Sequence, residues 1–261
     1  MPTSPTIRKQ RLSDAFCTAP DPEGQRLTDP YFHKFSIMIL LVPYEIETFQ
    51  QERPWANWLI VAASTVVSLI ALFGGGLEAG DFDSLILNGF SLPGLFGHVL
   101  LHADPMHLAG NMLFLWVFGN AICTNTNNWI YLATFFICTL ISGIAHVILD
   151  GSPAIGASGA INGIVGVTLA MYPLNRVYLF WVFLIRGGST SCKAWLIIVA
   201  WFLFDVWGAV NGGGLIAYWA HIGGFLSGLG FALTALHFGW FQLTELDNRS
   251  LLEIIRREHP E

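Results

Sequence analysis

Six long apolar segments restrict the folds that are open to this chain. A helix that crosses the hydrocarbon core of a bilayer needs about 20 apolar residues, and within lipid its backbone polar groups must be satisfied internally. Only 11% of the chain is charged, against about 25% in soluble domains. We therefore predict an all-α membrane protein with six transmembrane helices. The segments are 56–73, 107–121, 129–149, 158–172, 194–210 and 216–237.

The regions outside these segments are predicted to be tails and links. Residues 1–55 are mixed polar and begin without an apolar stretch, so no cleavable signal peptide is expected. The apolar stretch 35–42 is too short to span a bilayer, and we expect it at the interface or packed against the bundle. The predicted membrane domain is 56–238, followed by a C-terminal tail at 239–261.

The distribution of basic residues predicts the orientation of the bundle. All twelve Lys and Arg lie before the first segment, between the fourth and fifth, or after the sixth. Cytoplasmic loops are the ones enriched in Lys and Arg, so both termini are predicted to be cytoplasmic. The links predicted to be external carry acidic residues instead, namely Glu78, Asp81, Asp83, Asp104 and Asp150.

Four polar side chains are predicted to meet near the outer face. In this orientation, the second, fourth and sixth segments all enter the membrane from outside. His107 and Asn111 open the second segment, Ser158 opens the fourth, and His221 lies a short way into the sixth. With a rise of about 1.5 Å per residue, these four residues lie at similar depths on three different helices.

These side chains suit nucleophilic catalysis. Ser158 can attack a carbonyl if His221 accepts its proton, and an asparagine amide and a second imidazole can donate hydrogen bonds to the resulting oxyanion. The N-terminus of a helix adds unpaired N–H groups at Ser158. No acidic residue is expected to orient His221, because Asp205 lies on the fifth segment and Asp150 in a loop. A Ser–His dyad is therefore favoured over a triad.

The same positions also have a structural interpretation. Small residues at this spacing let membrane helices pack closely, and Ser158 alone would fit that role. An intramembrane ionisable residue is often functional, but transporters also contain such residues. The glycines expected to pack helices are Gly156, Gly159 and Gly163 around the serine, and Gly224 and Gly228 after the histidine.

No metal, cofactor or nucleic-acid partner is predicted. His102 and His107 have four residues between them, but the glutamate of an HExxH site is missing. The chain has no basic cluster that would suit nucleic acid. Its four cysteines lack metal-site spacing, and we expect no disulfide framework.

Three motifs, occurring in this order, resemble the rhomboid family of intramembrane serine proteases. They are HADPMHLAGN at 102–111, GASG at 156–159 and AHIGGFLSG at 220–228, and the resemblance covers roughly 56–238. It implies a six-helix rhomboid-like bundle with Ser158 as nucleophile and His221 as base. His107 and Asn111 would then line the oxyanion site, with His102 as a structural residue.

The resemblance also implies a substrate and a location. The protein would cleave single-span membrane proteins in or near their transmembrane segment, and we expect a multi-pass protein of a bacterial inner membrane. The alternative is an inactive relative that binds membrane clients, but inactive members usually lack the serine or histidine. A transporter is a third possibility, although the chain contains no evident internal repeat.

Three features depart from the family pattern. Asn162 stands where many relatives carry an aromatic residue that packs on the catalytic histidine, and Cys123 stands where many carry a glutamate. The external loop 74–106 lacks a common Trp-Arg pair. By resemblance, substrates would enter between the second and fifth helices. Several aromatic side chains of the fifth helix are expected either to close this entrance, as a gate, or to face lipid. They include Trp201, Phe202, Phe204 and Trp207.

Overall fold

The computed structural model describes residues 40–74, 80–183, 186–212, 216–243 and 248–257, and they are mostly helical. Five of the described helices are long and apolar enough to cross a membrane, and a sixth, Ser158–Met171, is apolar but shorter; the five are Trp55–Phe73, Pro105–Thr126, Asn128–Leu149, Ala194–Asn211 and Tyr218–His237. The helices are α1 (Trp55–Phe73), α2 (Leu92–Gly97), α3 (Pro105–Thr126), α4 (Asn128–Leu149), α5 (Ser158–Met171), α6 (Ala194–Asn211), α7 (Tyr218–His237) and α8 (Leu251–Arg256).

The six predicted apolar segments correspond one to one to α1 and α3–α7. The largest difference is in α3, which continues to Thr126 instead of ending at 121. It does so through a π-helical turn at Leu115–Gly119, where Asn57 of α1 donates a hydrogen bond to the Leu115 carbonyl at 2.8 Å. Asn57 also accepts one from the Tyr131 hydroxyl of α4 at 2.6 Å. This buried polar cluster joins three helices at an irregular point of the bundle.

A three-stranded antiparallel sheet departs from the all-α prediction. Its order is β1 (Leu40–Ile46), β2 (Arg176–Phe183) and β3 (Arg186–Lys193), so β2 is central. β1 contains the last three residues of the predicted apolar stretch 35–42, the rest of which lies outside the described residues. Ile46 of β1 and two β2 residues, Val177 and Leu179, are buried in the helical core. The described end of the apolar stretch therefore belongs to a strand that packs against the bundle.

Helix α5 lies at the centre of the bundle. Every residue of α5 is buried except Ser158 and Asn162, and α5 packs most extensively against α7. An added Cβ on Gly224 of α7 would lie 1.9 Å from the Gly159 carbonyl oxygen of α5. One on Gly228 would lie 1.9 Å from the Gly163 carbonyl oxygen. The close approach of these two helices therefore requires glycine at both α7 positions.

The cysteine that replaces the family's glutamate is part of a second polar junction. The Cys123 thiol donates a hydrogen bond to Oδ1 of Asn128 at 3.2 Å. Asn128 also accepts one from the backbone N–H of Ala56 and donates one to the Arg53 carbonyl. An asparagine at the start of α4 thus holds the start of α1 next to the end of α3.

The connections at the other end of the bundle hold the segment that leads into α5. Ser64 and Ser68 of α1 donate hydrogen bonds to the carbonyls of Val99 and Leu100. The backbone N–H of Gly156 in turn donates to the His98 carbonyl at 2.9 Å. The residues immediately before Ser158 are therefore fixed to the loop that precedes α3.

Candidate active site

Ser158 and His221 form a hydrogen-bonded pair between two helices. Ser158 is the first residue of α5, and His221 lies one turn into α7. The distance from Ser158 Oγ to His221 Nε2 is 2.9 Å. Both side chains are only partly accessible. The glycine contacts between α5 and α7 position this pair, because they allow the two backbones to approach closely.

An acidic residue completes a chain of hydrogen bonds, contrary to the expectation that none would orient His221. Oδ1 of Asp205, on α6, lies 2.9 Å from His221 Nδ1, on the opposite side of the ring from Ser158. The Asp205 and His221 side chains are 14% and 13% exposed. The sequence contained one signal for this contact. Asp205 is the only Asp, Glu, Lys or Arg within α1 and α3–α7 as the structure describes them.

His107 lies beside the backbone that leads to Ser158. Asp104 caps α3 by accepting hydrogen bonds from the N–H groups of Met106 and His107, both at 2.8 Å, which fixes the first turn. Gly156 has a φ of +118°, and an added Cβ there would lie 2.8 Å from His107 Nε2. The N–H of Ala103 donates to His107 Nδ1 at 3.4 Å, so the proton of a neutral ring is on Nε2. That atom is a donor beside Gly156.

Asn111 brings a second donor to the same place. Its side chain is buried, and its Nδ2 atom has no hydrogen-bond partner among the described residues. An added Cβ on Gly156 would lie 3.6 Å from this Nδ2. Buried amide donors are nearly always paired in proteins, so this unpaired group is available to a transient acceptor.

The N-terminus of α5 contributes backbone donors at the serine. The first N–H groups of a helix have no partner within it, and the helix dipole places partial positive charge there. One turn later, Asn162 donates a hydrogen bond from Nδ2 to the Ser158 carbonyl at 3.0 Å. The amide that replaces the family's aromatic residue therefore bonds to its own helix, and His221 is held from the α6 side by Asp205.

His102 packs against the ring of His107. Its Nδ1 atom lies 2.8 Å from Ser68 Oγ, and its ring meets the ring of His107 edge-on with centroids 5.0 Å apart. Burial lowers the pKa of His102 to about 4, and the nearby His107 acts in the same direction. His102 is therefore neutral near pH 7. Among the described residues, no group of three His, Cys, Asp or Glu side chains could hold a metal ion.

Of the aromatic residues on α6, the four predicted to close the gate or face lipid divide into two inward and two outward side chains. Trp201 contacts Phe114 of α3, with ring centroids 5.1 Å apart, and Phe202 stacks on Phe225 of α7 at 4.5 Å. Phe204 and Trp207 are each 67% exposed. Exposed rings on an apolar helix suit contact with lipid, whereas Trp201 closes the space between α3 and α6.

The apolar helices and the partly buried Ser–His pair define a class of protein, namely a multi-pass integral membrane protein with a potential nucleophile inside its helical bundle. The family model for the rhomboid domain matches residues 90–238. The chain belongs to the rhomboid family.

Three curated relatives illustrate this similarity. Mitochondrial rhomboid protein 1 of Saccharomyces cerevisiae is 30% identical over 155 residues, 56% of this chain and 41% of the relative. Rhomboid protease GluP of Bacillus subtilis is 27% identical over 201 residues, 74% of this chain and 37% of the relative. Rhomboid protease GlpG of Salmonella paratyphi A is 25% identical over 195 residues, 72% of this chain and 65% of the relative. The chain thus matches less than two thirds of the length of each.

Proposed function

We propose that this protein is an intramembrane serine endopeptidase that cleaves single-span membrane proteins in or near their transmembrane segment. The observation that carries the proposal is the 2.9 Å distance between Ser158 Oγ and His221 Nε2. Membership of the rhomboid family supports it, since the relatives from Bacillus and Salmonella are named rhomboid proteases. The intact pair also favours an enzyme over an inactive protein that only binds membrane clients.

In this proposal, Ser158 Oγ attacks the carbonyl carbon of the scissile peptide bond. As the O–C bond forms, the hydroxyl proton moves to His221 Nε2, and the carbonyl oxygen becomes an oxyanion. When the intermediate collapses, the C–N bond breaks and His221 gives the proton to the leaving amine. Water then hydrolyses the acyl-enzyme, again with His221 as the base, and restores the Ser158 hydroxyl.

Three donors around Gly156 are proposed to stabilise the oxyanion. They are His107 Nε2, Asn111 Nδ2 and the backbone N–H of Ser158. Donors fixed before the reaction stabilise developing charge without reorganisation, and in a site that excludes bulk water each contributes more than it would in solution. The unpaired Asn111 amide supports this role, because no group within the described residues satisfies it.

We also propose that all six apolar helices cross the bilayer and that both termini face the cytoplasm. The described basic residues support this orientation, since they lie before α1, between α5 and α6, or after α7. Ser158 and His221 would then lie towards the outer face, where water can reach them. Relatives come from bacteria and from a mitochondrion, and we propose the bacterial inner membrane as the location here.

Cleavage of a panel of single-span model proteins in liposomes tests the proposal. The unchanged protein is expected to give two fragments, and Ser158→Ala none. Ser227→Ala is a matched control, because Ser227 lies on α7 and donates a hydrogen bond to the Gly224 carbonyl of its own helix. This variant should cleave at the rate of the unchanged protein. Intact substrates that co-purify without being cut would instead support the client-binding alternative.

A further inference from the structure

Asp205 is a partly buried carboxylate with a defined partner and no role in the mechanism above. It is the single charged residue in the described membrane helices α1 and α3–α7. A charge within a membrane span is costly, and such residues usually face the protein interior and pair there. Asp205 does so with the histidine that contacts Ser158, at 2.9 Å. Packing alone gives no reason for a carboxylate at this position.

We propose that Asp205 is a positioning residue that holds His221 in the tautomer and orientation needed to accept the Ser158 proton. The inference rests on the proposed peptidase function. A carboxylate can only accept a hydrogen bond, so the proton of neutral His221 lies on Nδ1 and its Nε2 lone pair points to Ser158. When Nε2 takes the serine proton, the carboxylate also stabilises the positive ring.

The location of Asp205 makes the assembly of the base depend on a third helix. Ser158 is on α5 and His221 on α7, whereas Asp205 comes from α6, which is the least buried of the five long helices. Within the described part of the chain, the Asp205–His221 contact is the one side-chain hydrogen bond that joins α6 to another helix. His221 therefore keeps its hydrogen bond to Asp205 only while α6 packs against α7.

Asn162 stands where the resemblance implies an aromatic residue against the histidine, and it does not support the ring of His221. Asn162 donates to the Ser158 carbonyl and forms no described hydrogen bond to His221. Of the described polar contacts of the imidazole, one is to Ser158 and the other is to Asp205. Without Asp205, no described hydrogen bond would hold Nδ1, and either nitrogen could carry the proton.

Steady-state kinetics of Asp205→Asn in liposomes test this role. In Asp205→Asn, we expect kcat to fall by at least about 10-fold, and by no more than the roughly 10⁴-fold loss caused by the same change in a soluble triad protease. KM should stay within about 2-fold of that of the unchanged protein, because the substrate contacts remain. Asp205→Glu keeps a carboxylate and should retain more kcat than Asp205→Asn. The matched control is Asp83→Asn, the same chemical change at an exposed position of an outer loop, which should have no effect.

A structural readout separates positioning from stability. In ¹⁵N-histidine-labelled protein, the His221 signals, identified by their loss in His221→Gln, should report a proton on Nδ1 and none on Nε2. Asp205→Asn should shift them towards the other tautomer without lowering the midpoint of thermal unfolding. A kcat close to that of the unchanged protein, or an unchanged tautomer, would overturn the proposal. So would a fall in activity that only follows loss of folded protein in both Asp205 variants.

The failure of this inference is distinguishable from failure of the proposed function. If the unchanged protein cleaves, Ser158→Ala does not and Asp205→Asn keeps its kcat, only the role of Asp205 is wrong. If the unchanged protein cleaves no substrate and Ser158 does not react with a fluorophosphonate, the peptidase function itself is wrong.

Discussion

Gly224→Ala is expected to separate the Ser158–His221 pair without altering either residue. A Cβ at this position would lie 1.9 Å from the Gly159 carbonyl oxygen, and contacts below 3.0 Å are essentially never observed. The backbones of α5 and α7 must therefore move apart by about 1 Å at this point. Gly159 follows Ser158, and Gly224 is one turn from His221, so the displacement falls directly on the catalytic pair.

The expected magnitude follows from that displacement. Lengthening a 2.9 Å hydrogen bond by about 1 Å takes it outside hydrogen-bond range. A misplacement of about 1 Å in an active site costs on the order of 10² in rate. Overpacking of this kind also destabilises a protein by about 1–3 kcal/mol, so the midpoint of thermal unfolding should fall as well.

Gly230→Ala provides the matched control on the same helix. An added Cβ at Gly230 would meet no described side chain or neighbouring helix within 4 Å, and alanine favours a helix over glycine by about 1 kcal/mol. Initial cleavage rates in liposomes, normalised to folded protein, should be reduced only for Gly224→Ala. Equal rates for the two variants would refute the argument that the α5–α7 contact sets the geometry of the pair.

Three further predictions concern the oxyanion donors, access and topology. Asn111→Ala should lower kcat by up to about 10²–10³, the cost of one oxyanion donor, and a loss as large as that of Ser158→Ala with reduced folding would contradict this role. Trp201→Ala should raise the initial rate of cleavage of a transmembrane substrate, because it opens the contact between α6 and α3. Phe204→Ala, at an exposed position, should leave the rate unchanged. An unchanged rate for both variants would refute substrate entry between α3 and α6. A reporter fused to the C-terminus should be cytoplasmic, and an external reporter would contradict the proposed orientation.

The sequence predicted the helices and the residues that meet at their ends because both depend on local patterns. An apolar run of membrane length forms a helix almost regardless of its neighbours, and α1 and α4 begin within one residue of the predicted segments. Spacing along α5 and α7 likewise identified the contacts of Gly159 with Gly224 and of Gly163 with Gly228, whereas Gly156 lies before α5, beside His107, and does not pack the two helices. For Ser158 and His221, the order of the helices and the expected depth of each residue were enough to predict that the two residues lie close together.

The sheet and Asp205 could not be predicted in the same way. β1 pairs with β2 across more than a hundred residues, and nothing local in the apolar stretch 35–42 distinguishes a strand from an interfacial segment. Asp205 points to His221 because of the rotation of α6 about its axis, which depends on packing of Trp201 and Phe202 against α3 and α7. An isolated acidic residue in an apolar helix was nevertheless a usable signal, since such a charge requires a partner.

The activation of Ser158 by His221 is the central claim, and a covalent label tests it most directly. The intact protein, reconstituted in liposomes, is treated with a fluorophosphonate and its mass is measured, followed by peptide mapping of the adduct. The account predicts one adduct at Ser158 in the unchanged protein, none in Ser158→Ala, and strongly slowed labelling in His221→Ala. An adduct at another serine, or labelling of Ser158 at an unchanged rate in His221→Ala, would contradict it.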